Sequence, residues 1–343
     1  MAEHQIVDLA VAGSNPASHP FRRFPPGAGT CSFELWEFVS DAGTRWFGER
    51  VHTGLDDRQT CRSSSGRARL VGMSARDFYD RLAADYHLVY QDWEAAIERQ
   101  ADVLDQLITS ACPGAKEILD CSCGIGTQAI GLALRGYRVH GTDVSERSLD
   151  RAREEAERLG ARVSFGVCDF RDLSSVDGLF DVVISCDNAI PHMLTDDDVR
   201  RVFAAMYAKL RRGGLIVISI RDYDKEMIER PTTGLPVIHA GPPRRVVVRL
   251  HDWDASDSPL YTVRFLILTE GQSGWTVEQH STRYRAFKRS ELDGAAQLAG
   301  FVRTAWHTAE EVAFYQPVMT ALKEGDLAQA PGRVSRRPFF QYG

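Results

Sequence analysis

The chain has 343 residues, 43% of them apolar and 26% charged, with a net charge of -6 and an isoelectric point near 6.0. Such a composition describes a folded, water-soluble protein with no overall attraction to phosphate backbones, because its arginine pairs (Arg22 and Arg23, Arg244 and Arg245, Arg336 and Arg337) are scattered. No apolar run reaches the roughly 18 residues of a membrane helix, no signal-peptide plan opens the chain, and seven irregularly spaced cysteines read as free thiols of a reducing compartment. Nucleic acid and membrane are therefore excluded as expected partners, and the cytoplasm is the expected location.

Residues 1–72 stand apart, with recurrent Gly, Pro, Ser and Arg, no lysine and no sustained apolar period. No element is predicted there. Gly13, Ser14, Asn15 and Pro16 can be encoded by GGT TCG AAT CCC, which is similar to the T-arm of most transfer-RNA genes. The expectation is an unstructured or artefactual extension, with the authentic start at Met73. From there a helical cap is predicted over 73–115, on a stripe of Trp93, Ile97, Leu104 and Leu107 with Tyr79, Tyr86 and Tyr90 upstream.

From Lys116 the pattern becomes short apolar runs alternating with amphipathic stretches, as βαβ units of a parallel sheet require. Strand one covers 117–119, and its loop, "DCSCGIGTQA", opens a helix at Thr127 that Gly136 terminates. Strand two, "YRVHGT", ends at Asp143; Ser145 caps a helix that Gly160 stops. Strand three, "RVSFGV", ends at Asp169, and strand four, "FDVVIS", ends at Cys186, Asp187 and Asn188. Thr195 caps the next helix, and Gly213 with Gly214 turns the chain into strand five, "LIVISI", ending at Arg221. Three strand-like runs over 244–288 predict an antiparallel lid, divided by turns at 256–259 and 271–274. A helix over 290–298, then "FVRTAWH" and "AFYQPVMTAL", complete a domain over 116–322; the tail, 323–343, is uninformative.

The polar residues just named lie where strands give way to loops, and open α/β sheets bind ligands at those carboxyl ends. Gly124, Gly126 and Ala129 fit the dinucleotide fingerprint G-x-G-x-x-G/A, but a carboxylate at Asp120 would repel a pyrophosphate seated on the helix N-terminus. An ammonium and a sulfonium suit it. In its acidic residue at Asp120, glycine loop at Gly124 and Gly126, second-strand acid at Asp143 and third-strand acid at Asp169, the chain resembles the class I S-adenosylmethionine-dependent methyltransferases. Ser122 stands in place of the first glycine of that loop. The resemblance implies a doubly wound, seven-stranded Rossmann-like α/β sheet with the antiparallel lid inserted after strand five and an antiparallel last strand. It implies S-adenosyl-L-methionine as cofactor, with Asp143 on the ribose hydroxyls, Asp169 on the adenine amino group, Phe170 beside the ring, and Ser122 and Asp187 in the same set.

Over Asp77 to about Leu322 the chain is similar to the glycine and sarcosine N-methyltransferase branch, through "HLVYQDW", "CDNAIPHML", "GGLIVISIRDYD" and the three-stranded insert. That likeness places Tyr90 and Asn188 beside a small amine acceptor, Arg221 on its carboxylate and Arg99 near the methionine carboxylate; a salt bridge from Arg221 to Asp222 or Asp224 is the structural alternative. Transfer would be an in-line displacement needing alignment and an unprotonated amine but no strong base. His192 is the candidate if a proton must move, and capping or packing is the alternative preferred for it. Cys121, Cys123, Cys168 and Cys186 all fall near strand ends, but their spacing matches no zinc site, so no metal is expected. Two other functions stay open: methylation of a larger secondary metabolite at N or O, and cofactor binding without turnover, against which the polar set Asn188, His192, Arg221 and Tyr223 argues. A homo-oligomer is left open.

Overall fold

A computed structural model describes residues 32–39, 45–52 and 74–325. In the first of two separate units, Met1–Arg69, β1 (Ser32–Val39) and β2 (Arg45–His52) pair as an antiparallel hairpin, where the sequence predicts no element. The aromatic- and valine-bearing runs either side of Asp41 and Gly43 are strand-like over too few residues to stand out from the composition around them. Met73, the T-arm-like stretch and the tail beyond 325 lie outside the described residues.

The second unit opens with α1 (Ala75–Leu82), started by Ser74, whose hydroxyl accepts from the Asp77 amide. A 3-10 turn (Tyr86–Val89) leads to α2 (Trp93–Ala111), which Asp92 caps and which buries Ile97, Leu104 and Ile108. The core then alternates as predicted: β3 (Glu117–Asp120), α3 (Thr127–Leu134), β4 (Arg138–Asp143), α4 (Glu146–Leu159), β5 (Val163–Val167), β6 (Phe180–Ser185), α5 (Asp196–Lys209) and β7 (Leu210–Ser219). Ser145 and Thr195 cap α4 and α5, and Gly160 closes α4 with a φ of +71°. Beyond lie α6 (Tyr223–Glu229), β8 (Val237–His239), β9 (Arg245–Trp253), β10 (Leu260–Gly271), β11 (Gly274–Arg285), α7 (Arg289–Ala299), β12 (Phe301–His307), α8 (Ala309–Val312) and β13 (Val318–Lys323).

The main sheet has seven strands in the order β12-β13-β7-β6-β3-β4-β5, with β13 antiparallel to both neighbours and the strands from β7 to β5 parallel. The chain leaves β3 in both directions, so the switch point lies between the carboxyl ends of β3 and β6. Its central strands are dry on both faces, with Ile118, Leu119, Val182, Val183, Ile184, Ile216 and Val217 fully buried, as a parallel sheet covered by helices demands. The insert is a second, antiparallel sheet of order β11-β10-β9-β8. From Tyr261 to Ile267 of β10 every second residue is buried, and Phe265 of that face meets Phe78 of α1 with ring centroids 5.6 Å apart.

Three elements differ from expectation. The lid has a fourth strand, β8, three residues long and flanked by Pro236 and Pro242, too short to leave a period in the sequence. β7 begins at Leu210, so Gly213 and Gly214 form an irregularity within the strand, where the register against β6 slips between Phe180 and Val182. The last strand starts at Val318, because residues 309–312 form α8 and Ala313 leaves it with a φ of +55°.

Helices α2 and α3 touch across Gly131. A Cβ there would stand 2.6 Å from the Ala101 Cβ and 2.9 Å from the Ile97 carbonyl oxygen, which belongs to helix backbone and cannot swing aside. Gly131→Ala is therefore expected to lower unfolding free energy by about 1–3 kcal/mol by urea denaturation, although alanine is the better helix former by roughly 1 kcal/mol. An unchanged midpoint would show that the helices part freely.

Candidate functional site

The loop after β3 is the first element of the site. Gly124 and Gly126 hold φ of +52° and +92°, the latter at the N-terminus of α3, conformations open to glycine at little cost. Asp143, at the end of β4, clamps this geometry: its Oδ2 accepts the Gly124 amide and its Oδ1 the Ser145 amide, both at 2.9 Å. Ser122 ties the same loop to β6 through a 2.8 Å contact with the Ser185 hydroxyl. Burial raises the Asp143 carboxyl despite these amide bonds. Asp120 lies behind the loop, 1% exposed; one oxygen accepts the Ser122 amide, and Oδ2 has no hydrogen-bond partner. Burial first, and the nearby Asp143 charge in addition, lift its pKa to about 8.

Around Asp143 a cleft opens in two parts that share Tyr79, Ser122 and Ala189. One, of about 50 Å³, is lined by Gly124, Thr127, Gln128 and Asp187; the other, of about 340 Å³, by Asp169, Phe170, Arg171, His192 and Met193. Asp169 is held by Arg171, which also reaches Asp198 in the first turn of α5. Burial alone would raise the Asp169 carboxyl, but the Arg171 hydrogen bonds and charge hold it below its usual value. His192 packs edge-on to Tyr284, ring centroids 4.6 Å apart, with Nε2 3.0 Å from the Tyr79 hydroxyl. Burial drops its pKa to about 3, so the ring stays neutral. It borders the cleft rather than the cavity beyond.

Asp187 and Asn188 follow β6 with φ of +59° and +67°, two left-handed residues in succession. Ser219 at the end of β7 fixes them: its hydroxyl accepts the Asp187 amide at 2.9 Å and its carbonyl the Asn188 amide at 3.2 Å. On the far side of Asp187 lies a cavity of about 1080 Å³, whose wall includes Tyr90, Arg99, Arg221, Glu226, Arg249 and Tyr315. Arg99 stands exposed on α2, and Arg249 projects from β9; neither side chain has a hydrogen-bonded or ionic partner among the described residues. Arg221 does. Its Nε donates to Glu226 Oε1 at 2.8 Å and Nη1 lies 2.9 Å from His251 Nε2, so its partner is Glu226 of α6 and not Asp222 or Asp224, which instead meet Arg289. Asn188, predicted beside the acceptor, is 5% exposed and lines neither space: its Oδ1 accepts the Arg221 amide and the Tyr223 hydroxyl. Its geometry positions Arg221.

Three functional groups escaped the sequence. Tyr315, from the loop before β13, donates to Asp187 Oδ1 at 2.7 Å; Glu226 claims Arg221; and Gln128 donates to Gln100 at 2.7 Å at the back of the loop. Glu226 stands five residues beyond Arg221, which precedes α6, so no helical i,i+4 spacing marks the pair, and nothing in the sequence announces Tyr315. Cys112, Cys121, Cys123, Cys168 and Cys186 are free thiols, and no three His, Cys, Asp or Glu side chains among the described residues gather as metal ligands. No helix among those residues is long and apolar enough to cross a membrane.

Residues 118–214 match the family model described as a methyltransferase domain. Over 192 residues the chain is 31% identical to a dTDP-4-amino-2,3,4,6-tetradeoxy-D-glucose N,N-dimethyltransferase of Saccharopolyspora spinosa, covering 56% of this chain and 71% of that one. The chain belongs to the S-adenosylmethionine-dependent methyltransferases. It is also 31% identical over 150 residues to a glycine/sarcosine N-methyltransferase of Parasynechococcus marenigrum, covering 43% of this chain and 50% of the relative, so it spans about half the length of that protein. The fold matches the S-adenosylmethionine-bound amino pentose methyltransferase of Micromonospora echinaspora, involved in calicheamicin biosynthesis, with a TM-score of 0.56 at 21% identity over 70% of this chain and 95% of that one.

The methyltransferase loop fits the cofactor of its family. The Gly124–Asp143 clamp, the cleft and the unpartnered Asp120 Oδ2 are what a cationic amino acid joined to a nucleoside requires, in contrast to a pyrophosphate. Because Asp120 titrates at about 8 when folded against 3.8 ordinarily, its contribution to stability is complete below the ordinary value and is lost as pH rises through about 8. Asp120→Asn should flatten the fall in stability expected of the wild type from about pH 4 to about pH 8 in pH-dependent denaturation. It should also abolish the proton released at neutral pH when S-adenosylhomocysteine binds, read by calorimetry in buffers of different ionisation enthalpy. Identical proton counts in the two proteins would remove Asp120 from the cofactor's ammonium.

Proposed function

We propose that this methyltransferase N-methylates an amine on an acceptor larger than an amino acid, of amino-sugar or secondary-metabolite size. The size of the cavity beyond Asp187 carries the proposal: about 1080 Å³, just above the roughly 300–1,000 Å³ in which drug-sized ligands bind. Glycine would leave most of it to water. The state of Arg221 points the same way. Gripping an amino-acid carboxylate would require prising it from Glu226, a partly buried pair whose separation leaves that carboxylate without its hydrogen-bonded cation. Arg249, like Arg99, is a cation of the same wall without a hydrogen-bonded or ionic partner among the described residues, and it is available for an anionic part of the acceptor. The Saccharopolyspora spinosa relative, named for an amino sugar, is consistent with this acceptor class.

S-adenosylmethionine, once bound, supplies a methyl group on a sulfonium, a leaving group that needs no acid. The chain's own residues therefore have three tasks. Asp143 and the glycine loop fix the donor side, Asn188 and Ser219 fix the threshold between cleft and cavity, and the tyrosines at Asp187 hold its carboxylate in place. Alignment of this kind accounts for most of the rate a methyl transfer needs.

A glycine or sarcosine acceptor is the second reading, supported by the likeness of the core to the Parasynechococcus marenigrum enzyme and by Arg221 standing in the cavity wall. A radiolabelled methyl-transfer panel separates the two: glycine, sarcosine, a dTDP-linked 4-amino sugar, and its hydroxyl counterpart dTDP-glucose. The proposal expects the amino sugar to be used with a kcat/KM at least about 100-fold above glycine, and Arg249→Ala to raise its KM by about 10- to 100-fold with kcat nearly unchanged. Preferential turnover of glycine, or methylation of dTDP-glucose, would refute it.

A further inference from the structure

Asp187 is, among the described residues, the one side chain that lines both the small part of the cofactor cleft and the large cavity. It also carries an unusual load. Tyr90 and Tyr86 donate their hydroxyls to Oδ2, the latter at 3.3 Å, and Tyr315 donates to Oδ1 at 2.7 Å. These tyrosines come from three separate places: the 3-10 turn after α1, the approach to α2, and the loop before β13. An ionised carboxylate offers about four acceptor sites on its two oxygens. Three are taken, and the remaining one is on Oδ1, the oxygen that holds Tyr315 of the cavity wall.

We propose that Asp187 is the group that docks the acceptor amine and takes its proton, the inference resting on the N-methyltransferase reading above. An acceptor arriving as R–NH3+ donates one N–H to the vacant site on Oδ1. The N–H bond breaks as an O–H bond forms on Asp187, leaving R–NH2 with its lone pair free and facing the cleft. The carboxylic acid returns its proton to water when the product leaves, so the balance closes on the protein side. The charge count favours the step. Groups that feel the Asp187 charge are Tyr79, Tyr86, Tyr90, Tyr284 and Cys186, each raised above its usual pKa chiefly by burial and therefore neutral, and Tyr315, which is half-exposed and donates its hydroxyl proton to the carboxylate. No lysine, arginine or histidine among the described residues bonds to this carboxylate. The ammonium of the acceptor would be its counter-ion. The strained backbone has a purpose on this account: a left-handed pair held by Ser219 directs the carboxylate to the threshold instead of into the sheet.

Asp187→Asn is the variant of choice, because asparagine keeps the shape and is at home at positive φ. Three quantities are measured on wild type and variant with whichever amine of the panel is turned over: S-adenosylhomocysteine affinity, calorimetric affinity of that amine for the S-adenosylhomocysteine-saturated protein, and the pH profile of kcat/KM. The expected result is unchanged cofactor affinity, amine binding weakened by about 10- to 100-fold, and kcat/KM lower by about 100-fold or more with its acidic limb moved to higher pH. Tyr315→Phe should give a smaller loss in the same direction. Cofactor affinity lost with amine binding intact would return Asp187 to the cofactor and overturn the inference. So would a variant whose amine turnover and pH profile match the wild type, while leaving the N-methyltransferase reading standing. A panel in which the wild type methylates no amine removes both.

Discussion

Ser219 holding the two left-handed residues after β6 is the constraint on which the site depends. Without the bonds from its hydroxyl and carbonyl to the Asp187 and Asn188 amides, that strand end would relax toward ordinary extended or helical backbone and turn the two side chains elsewhere. With them, Asp187 stands between two spaces and Asn188 points back to fix Arg221 and Tyr223. Ser219 in turn donates to Gln316, next to the loop that delivers Tyr315. A single serine at the end of β7 thus links the end of β6 to the loop before β13.

The electrostatics follow from what is buried without a counter-charge. On the donor side Asp120 and Asp143 are acids shielded from water, both raised in pKa, and one oxygen of Asp120 has no partner. On the acceptor side the carboxylate of Asp187 is satisfied only by neutral hydroxyls. A site with this much uncompensated acidity favours a cation such as the methyl sulfonium and, on the function proposed above, an amine on the far side of Asp187. Arg221, by contrast, already has an acid in Glu226.

What was legible in the sequence was local or ordered along the chain. Ser145, Thr195, Gly160 and Gly300 act as caps within their own turns, so neighbouring residues suffice to identify them. Asp120, Gly124, Asp143 and Asp169 were legible because a parallel sheet lines up successive strand ends, so order in sequence becomes adjacency in space. Tyr315 reaches Asp187 from 128 residues away, and that contact depends on β13 inserting between β12 and β7. No short-range pattern encodes it. The Arg221 partner is hidden for a different reason: the adjacent acids Asp222 and Asp224 face Arg289, while Glu226, in the first turn of α6, turns back to Arg221. β8 was invisible because three residues between prolines carry no period.

A crystal structure of the protein with S-adenosylhomocysteine tests the central claim most directly, since the claim is that Asp187 divides donor from acceptor. The account predicts ribose on Asp143, adenine between Phe170 and Asp169, and the sulfur on the cleft side of Asp187 with the carboxylate turned toward the large cavity. A sulfur lying elsewhere, or an Asp187 carboxylate bonded to the cofactor itself, would contradict it.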